Sequence, residues 1–308
     1  MTAGIATKAK AVPPAAVTIT HAFGQTTIAA PPKRVVSAGF TEQDDLLAVG
    51  VVPVAVTNWF GDQPSAVWPW AQPKLGGAQP VVLTLFDGDN HFQYDRISEL
   101  NPDLIVALNC GVDQDSYNRL SAIAPTIPQT EGDGWFGPWK TQATTVGQAV
   151  SQAGQMGSLI TQVDKGFADV ANSHPEFNGK NALLLQGTFW QDSVIASLPG
   201  WQTDFLTQMG LKIADSINAY AVDHRAFIPR AQIVPVLNAA DVLIWTTESD
   251  ADQAALLADP FVQQLNATAQ NRNVFTGKNL SGAIAFSSPL SLPVVAGQLP
   301  PMLTAALR

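Results

Sequence analysis

The spacing of apolar positions changes along the chain, and the changes mark out its elements. From Val146 to Val170 the larger apolar residues (Val146, Val150, Ala153, Met156, Ile160, Val163, Phe167, Val170) recur at steps of three and four, one stripe on one helical face. No proline interrupts the stripe, Thr144 or Thr145 can cap it, and His174-Pro175 stops it. The spacing predicts a helix of about 27 residues, roughly 40 Å long, which is more than one small domain needs. Gly147, Gly154 and Gly157 each cost it about 1 kcal/mol of propensity, which close approach of other backbone would explain. Periodicity alone leaves open a core helix within one domain. What favours a bridge is that similar material lies on both sides of it.

On the N-terminal side, Val17 to His21 and Thr26 to Ala29 alternate as a hairpin around Phe23-Gly24-Gln25. Arg34 to Gly39 reads as a buried strand leading into the helix TEQDDLLAVG, with Thr41 as N-cap, Asp44 in the capping-box position and Gly50 as the stop. Val51 to Val56 is the next strand, completing a βαβ unit and hence a parallel sheet. Thr57 to Gly88 reads as a loop dense in aromatics; a helix (Tyr94 to Leu100), a strand (Leu104 to Leu108), a helix (Asp115 to Ile123) and a loop with Trp135 and Phe136 follow. Beyond the long helix the grammar repeats. Strands are expected at Ala182 to Gly187, Asp192 to Ile195, Leu211 to Ile213, Val242 to Thr246 and Asn273 to Phe275. Helices are expected at Trp201 to Met209, from Pro229 to Asn238, around Pro260 to Ala269 and at Pro289 to Leu307. The expected fold class is α/β: two Rossmann-like lobes, residues 17–141 and 174–308, joined by one interlobe helix over 142–173, with the ligand cleft between the lobes.

Composition narrows the function. Charged residues are 13% of the 308 and the formal charge is −9 with no Lys/Arg cluster, which argues against nucleic-acid or anionic-membrane surfaces. No window approaches 18 uninterrupted apolar residues, so no transmembrane segment is expected. Cys110 is the single cysteine, excluding an internal disulfide, and after the strand LIVALNC it reads as a small core residue. Residues 1–16 read as a disordered lead without an apolar h-region, leaving open a cytoplasmic protein or one whose export signal has been removed. His21, His91 and His174 are scattered, with no i, i+4 pair or HEXXH, so neither a metal site nor a cofactor is expected. Glu42 and Asp44 are explained by capping and the helix dipole in the first turn of their helix.

The segments PPKRVVSAGFTEQDDLLAVGVVPVAVT, YDRISELNPDLIVA, YNRLSAIAPT and LNAADVLIW, in this order, resemble the landmarks of the ferric-siderophore and cobalamin class of periplasmic substrate-binding proteins, nearest to its ferric-citrate-like branch. The resemblance runs from about Val17 to the C-terminus. It implies an extracytoplasmic receptor, periplasmic or held at the cell envelope by a lipid anchor, that delivers a ferric siderophore to an ABC importer. It also implies a rigid interlobe helix and small lobe movements.

Open α/β sheets bind ligands beyond the carboxyl ends of their strands. That rule nominates Phe40, Asn58, Trp59, Phe60 and Trp135 from the first lobe and Trp190, Tyr220, Arg225, Trp245 and Phe286 from the second. A ferric chelate arrives with its metal already coordinated, so aromatic walls and one or two cations suit it better than metal ligands. One arginine fits a chelate of low charge better than a triply anionic catecholate. Tyr220 with His224 would instead serve haem, a flat ligand carried by the same fold. Two readings from other classes remain: a chelatase-like enzyme, which needs a convergent His and acid that no spacing here demands, and an envelope scaffold without transport. The family presents one carboxylate per lobe to its permease. Asp95 matches the first, where the family has glutamate, whereas Ala231 and Gln232 stand where the second is expected.

Overall fold

The computed structural model describes residues 16–308, so all but one residue of the expected disordered lead lies outside it. A hairpin of β1 (Val17–His21) and β2 (Gly24–Ile28) precedes the first lobe. That lobe contains β3 (Val35–Ser37), α1 (Glu42–Ala48), β4 (Ala55–Thr57), β5 (Val81–Leu83), α2 (Tyr94–Glu99), β6 (Leu104–Ala107), α3 (Gln114–Ser121) and β7 (Thr126–Pro128). Its five strands are parallel, in the order β5-β4-β3-β6-β7. These short strands are mostly apolar and, except for the edge strand β5, buried at every residue because both faces are covered: Val35, Leu104 and Val106 face one core, Val36, Ala55 and Ile105 the other. The edge strand β5 lies inside the stretch expected to be loop, its three residues too few for a pattern to stand out.

Residues 142–173 form two helices, not one: α4 (Trp139–Ala149) and α5 (Ala153–Ser173), with Ser151 between them at φ +59°. Lys140 and Asp164 are 24 positions apart, about 36 Å along a straight helix. Their side chains nevertheless form an ion pair at 2.6 Å, so α4 folds back on α5. The fold-back uses Gly147, where a Cβ would stand 2.6 Å from that of Met156. No such contact surrounds Gly154 or Gly157. The bridge is therefore α5 alone. Its N-terminal half gives Met156 to the first lobe's core, beside Leu159 and Ile160, and its C-terminal half gives Val163 and Phe167 to the second lobe's.

The second lobe contains β8 (Asn181–Gln186), β9 (Ser193–Ser197), α6 (Asp204–Gln208), β10 (Lys212–Ile213), β11 (Ala221–Val222), β12 (Arg225–Pro229), α7 (Ile233–Leu237) and β13 (Val242–Thr246). It ends with α8 (Asp250–Ala258), α9 (Pro260–Gln263), α10 (Asn266–Ala269), β14 (Asn273–Phe275), α11 (Gly277–Phe286) and α12 (Leu292–Ala306). The mixed sheet runs β11-β12-β9-β8-β13-β14, with β10 alongside β8; β8, β13, β14 and β10 are parallel, whereas β9 pairs antiparallel with both β8 and β12, and β11 antiparallel with β12. Pro229 does not open a helix: it closes β12, which starts at Arg225 and pairs with β9.

The lobes meet along a buried seam. Trp68 is 1% exposed and its ring lies against Gly282 of α11, where a Cβ would come within 2.5 Å of it. Phe286 from the same helix packs on Trp68 and Trp70 at 6.0 and 5.8 Å between ring centroids. Asp44 joins this seam and does not cap α1: its Oδ2 accepts from Trp70 Nε1 at 2.7 Å and, across the lobes, from Ser288 Oγ at 2.6 Å. Glu42 is likewise buried, with Oε1 accepting from the backbone N–H groups of Leu108 and Asn109 at 2.6 and 2.7 Å. The sequence places both acids in a first helical turn, and only the tertiary fold shows them used elsewhere. Cys110 is fully buried, as its strand pattern predicts.

Candidate functional site

Beside the seam the lobes part to leave a cavity of about 370 Å³. The first lobe supplies Trp59 and Phe60, directly after β4, and Phe136, in the loop after β7. From the second lobe come Gln186 and Thr246, the last residues of β8 and β13, together with Ser197, Trp201, Arg225 and Glu248. The cavity therefore lies off the carboxyl ends of the parallel strands in both sheets, as the topology of an open α/β sheet demands. A second cavity of about 340 Å³ shares Phe136 and Trp201 with the first and adds Glu131, Asp133, Trp135 and His224.

Trp59 is the hub of the aromatic wall. It lies 5.5 Å from Phe40, 4.7 Å from Phe60 edge-on, 4.9 Å from Phe136 and 5.7 Å from Phe286. Offset and edge contacts of this kind hold the rings in fixed orientations. Backbone bonds anchored by Asn109 fix two of them: its carbonyl accepts the Phe40 N–H at 3.2 Å and its Oδ1 accepts that of Phe136 at 2.8 Å. Phe136 has φ +50°, a conformation that costs a bulky residue on the order of 1–3 kcal/mol and that this hydrogen bond helps hold. Since the Asn109 N–H is itself bound by the Glu42 carboxylate, the buried acid of α1 supports the cleft wall from behind.

The site's polar groups are sparse. Arg225 opens β12 opposite Ser197 and, among the described residues, makes no ion pair, so neither Asp223 nor any other acid occupies it. Loss of solvent, followed by the charge of Asp252, pushes the Glu248 carboxyl above its ordinary range, with Lys278 partly offsetting both. At the seam, burial pushes Asp44 up to about 6 despite bonds from Ser288 and Trp70, and it pushes Asp45 well up, with Asp44 and Glu42 adding repulsion. Among the described residues no three His, Cys, Asp or Glu side chains converge as a metal site. No described helix is long and apolar enough to cross a membrane.

Of the residues nominated from the sequence, Trp59, Phe60 and Arg225 line the first cavity and Trp135 and His224 the second. Phe40 and Phe286 stack behind Trp59 as its support. The others lie elsewhere. Asn58 extends the β4–β5 ladder through its N–H to the Leu83 carbonyl. Trp245 is 0% exposed in the second lobe's core, its Nε1 donating to Asn273 Oδ1 at 3.0 Å. Trp190 is 51% exposed at the β8–β9 turn, outside both cavities. The Tyr220 hydroxyl donates to Gln232 Oε1 at 3.4 Å and is in neither wall, so the haem pair of Tyr220 and His224 does not converge on one cavity. Sequence reasoning passed over Phe136, Trp201 and Glu248. Glu248 lies just beyond the end of β13 and the strand-end rule could have found it; Trp201 read as the start of a helix that in fact begins at Asp204.

Two α/β lobes bridged by one helix, with a ligand-sized cleft at the carboxyl ends of both sheets, make up the two-lobed binding-protein fold in which a helix joins the lobes. The chain belongs to the periplasmic binding protein family, which it matches over residues 35–280. It is similar to the crystal structure of a periplasmic solute binding protein from Mycobacterium smegmatis, with 58% identity and a TM-score of 0.89 over 95% of this chain and 99% of that one. It is 30% identical over 202 residues to the probable siderophore-binding lipoprotein YfiY of Bacillus subtilis, a match covering 63% of this chain and 57% of the lipoprotein's length. The iron-uptake substrate-binding protein PiaA of Streptococcus pneumoniae, solved in complex with ferrichrome, shares the fold at a TM-score of 0.76 and 24% identity, covering 94% of this chain and 98% of that one.

Proposed function

We propose that this protein captures a ferric siderophore outside the cytoplasmic membrane and presents it to an ABC importer, performing no chemistry on it. The observation that carries the reading is the cleft itself, with Trp59, Phe60, Phe136 and Trp201 as walls and Arg225 as an unpaired cation. A siderophore fills the coordination sphere of its iron, so its receptor needs apolar faces for the ligand's backbone and a few polar groups for its rim. The siderophore-binding description of the lipoprotein relative and the ferrichrome in the pneumococcal structure support the same class. Asp95, exposed in the first turn of α2, is the proposed docking carboxylate of the first lobe. In the second lobe Ala231 and Gln232 lie in a 3-10 turn and offer no acid.

The test is saturable quenching of intrinsic tryptophan fluorescence by a panel of ferric chelates, their iron-free forms and haem. Quenching by a ferric chelate, weakened in Trp59→Ala and Arg225→Ala, is the expected result. Quenching by haem alone, or by nothing in the panel, sinks the siderophore reading. For docking, Asp95→Ala should lower uptake by cells while leaving chelate affinity unaltered; equal uptake removes Asp95 from that role.

A further inference from the structure

We infer that the cleft selects ferric chelates of zero or positive net charge, the tris-hydroxamate class, and disfavours triply anionic tris-catecholates; this rests on the receptor reading above. Among the described residues lining the two cavities, Arg225 is the sole lysine or arginine, whereas Glu248, Glu131 and Asp133 are carboxylates. Other cations of the two lobes lie outside these walls. Lys140 is paired with Asp164 and Arg230 with Asp259 and Asp192. Lys278 acts on Glu248 through space but is in the wall of neither cavity. Asp252 adds a further negative charge behind Glu248, its Oδ2 accepting the Glu248 N–H at 3.0 Å. Asp133 is held in place, its Oδ1 accepting the Trp135 N–H at 3.0 Å.

Ligand charge follows from the donor groups. Three hydroxamates, each singly negative, neutralise Fe³⁺; three catecholates, each doubly negative, leave the complex at −3. One guanidinium can compensate a fraction of that charge, and Glu248 in the same cavity, with Glu131 and Asp133 in the adjoining one, opposes the rest. For a neutral chelate the same walls are favourable, since it requires no counter-charge and buries its apolar backbone on Trp59, Phe60 and Phe136. A pendant ammonium adds cation–π attraction to those faces and Coulombic attraction to Glu248 or Asp133. The protein's formal charge of −9 biases encounter in the same direction.

The experiment titrates the full chain with ferrichrome (neutral), ferrioxamine B (one ammonium) and ferric enterobactin (−3), read by tryptophan quenching at low and at high salt. The two hydroxamates should bind, and the catecholate should bind at least about a hundredfold more weakly, a gap that narrows as salt rises. In the combined variant Glu248→Gln, Glu131→Gln, Asp133→Asn, whose amide side chain at position 133 keeps an oxygen for the Trp135 N–H, the affinity ratio should shrink about tenfold or more. Catecholate binding as tight as or tighter than the hydroxamates overturns the charge inference and leaves the receptor reading standing. A gap that ignores both salt and the variant also overturns it, because selection is then by shape. Binding of no chelate at all overturns the receptor reading and this inference with it.

Discussion

The seam and the cleft are adjacent halves of one interlobe surface, made from the same residue types and used in opposite ways. In the seam, Trp68, Trp70 and Phe286 close on one another and Asp44 satisfies its Oδ2 on Ser288 and Trp70, so no space is left. In the cleft, Trp59 and Phe60, packed on each other, and Trp201 line an open space of about 370 Å³, and Arg225 and Glu248 face it without an ion pair among the described residues. Trp59, touching Phe286, is where one half passes into the other. The lesson is that an aromatic cluster with an acid beside it carries no function in itself. What decides is whether the rings close on one another or leave a space between them, since even in the seam Asp44 Oδ1 has no hydrogen-bond partner.

Breaking the seam should have the largest effect. Trp68→Ala removes a fully buried ring and leaves a cavity at Gly282, at a cost of about 3–5 kcal/mol in denaturant unfolding. A loss under about 1 kcal/mol would mean that the lobes are held by α5 alone. Next comes the pH dependence of Asp44. Its carboxyl lies at about 6 in the fold against 3.8 as the ordinary value, so between those pH values the folded protein holds the proton and the unfolded chain does not. Stability from this group is complete below about pH 4 and is lost as pH rises through 6, by at most roughly 3 kcal/mol. Glu42 and Asp45 act in the same direction. Asp44→Asn should flatten the stability–pH curve between pH 4 and 7, and an unaltered slope would remove Asp44 as its source.

On the cleft side, Trp59→Ala should raise the Kd for a ferric chelate about 10- to 100-fold with little change in unfolding midpoint, the reverse of the seam variant. A midpoint drop like that of Trp68→Ala would make Trp59 part of the seam. The smallest effect is expected of Lys140→Ala. Both partners of the Lys140–Asp164 pair are about two-fifths exposed, so losing it should cost under about 1 kcal/mol in the same unfolding assay.

The longer core strands were legible because a strand covered on two faces is a run of apolar residues bounded by turn formers, as in LIVA and VLIW, whereas β5, β7, β11 and β12 are too short or too polar for that pattern to show. The bend between α4 and α5 was not. Val146, Val150 and Met156 all enter the same core, so the apolar stripe continues through the bend, and no proline marks it. Trp59 and Phe60 follow β4 and line the cavity, as the strand-end rule expects, whereas Arg225 reaches it from the first residue of β12, opposite the last residue of β9. The same rule fails for Trp245, which is still inside its strand and points into the core, and for Trp190, on a turn leading to an antiparallel neighbour. Nor could spacing show that Glu42 reaches Leu108 and Asn109, a contact across 66 and 67 positions.

The seam also bears on how quickly the protein works. On the receptor reading proposed above, Trp68 seated against Gly282 and Asp44 bonded to Ser288 tie the lobes together beside the cleft, so the cleft should stand ready before a ligand arrives. Capture is then one bimolecular encounter. Its observed rate should rise in proportion to chelate concentration without reaching a plateau, because no closing step follows to limit it. On the same reading, the lifetime of the loaded receptor should be set by how fast a chelate leaves the faces of Trp59 and Phe60, so differences between good and poor ligands should appear in dissociation.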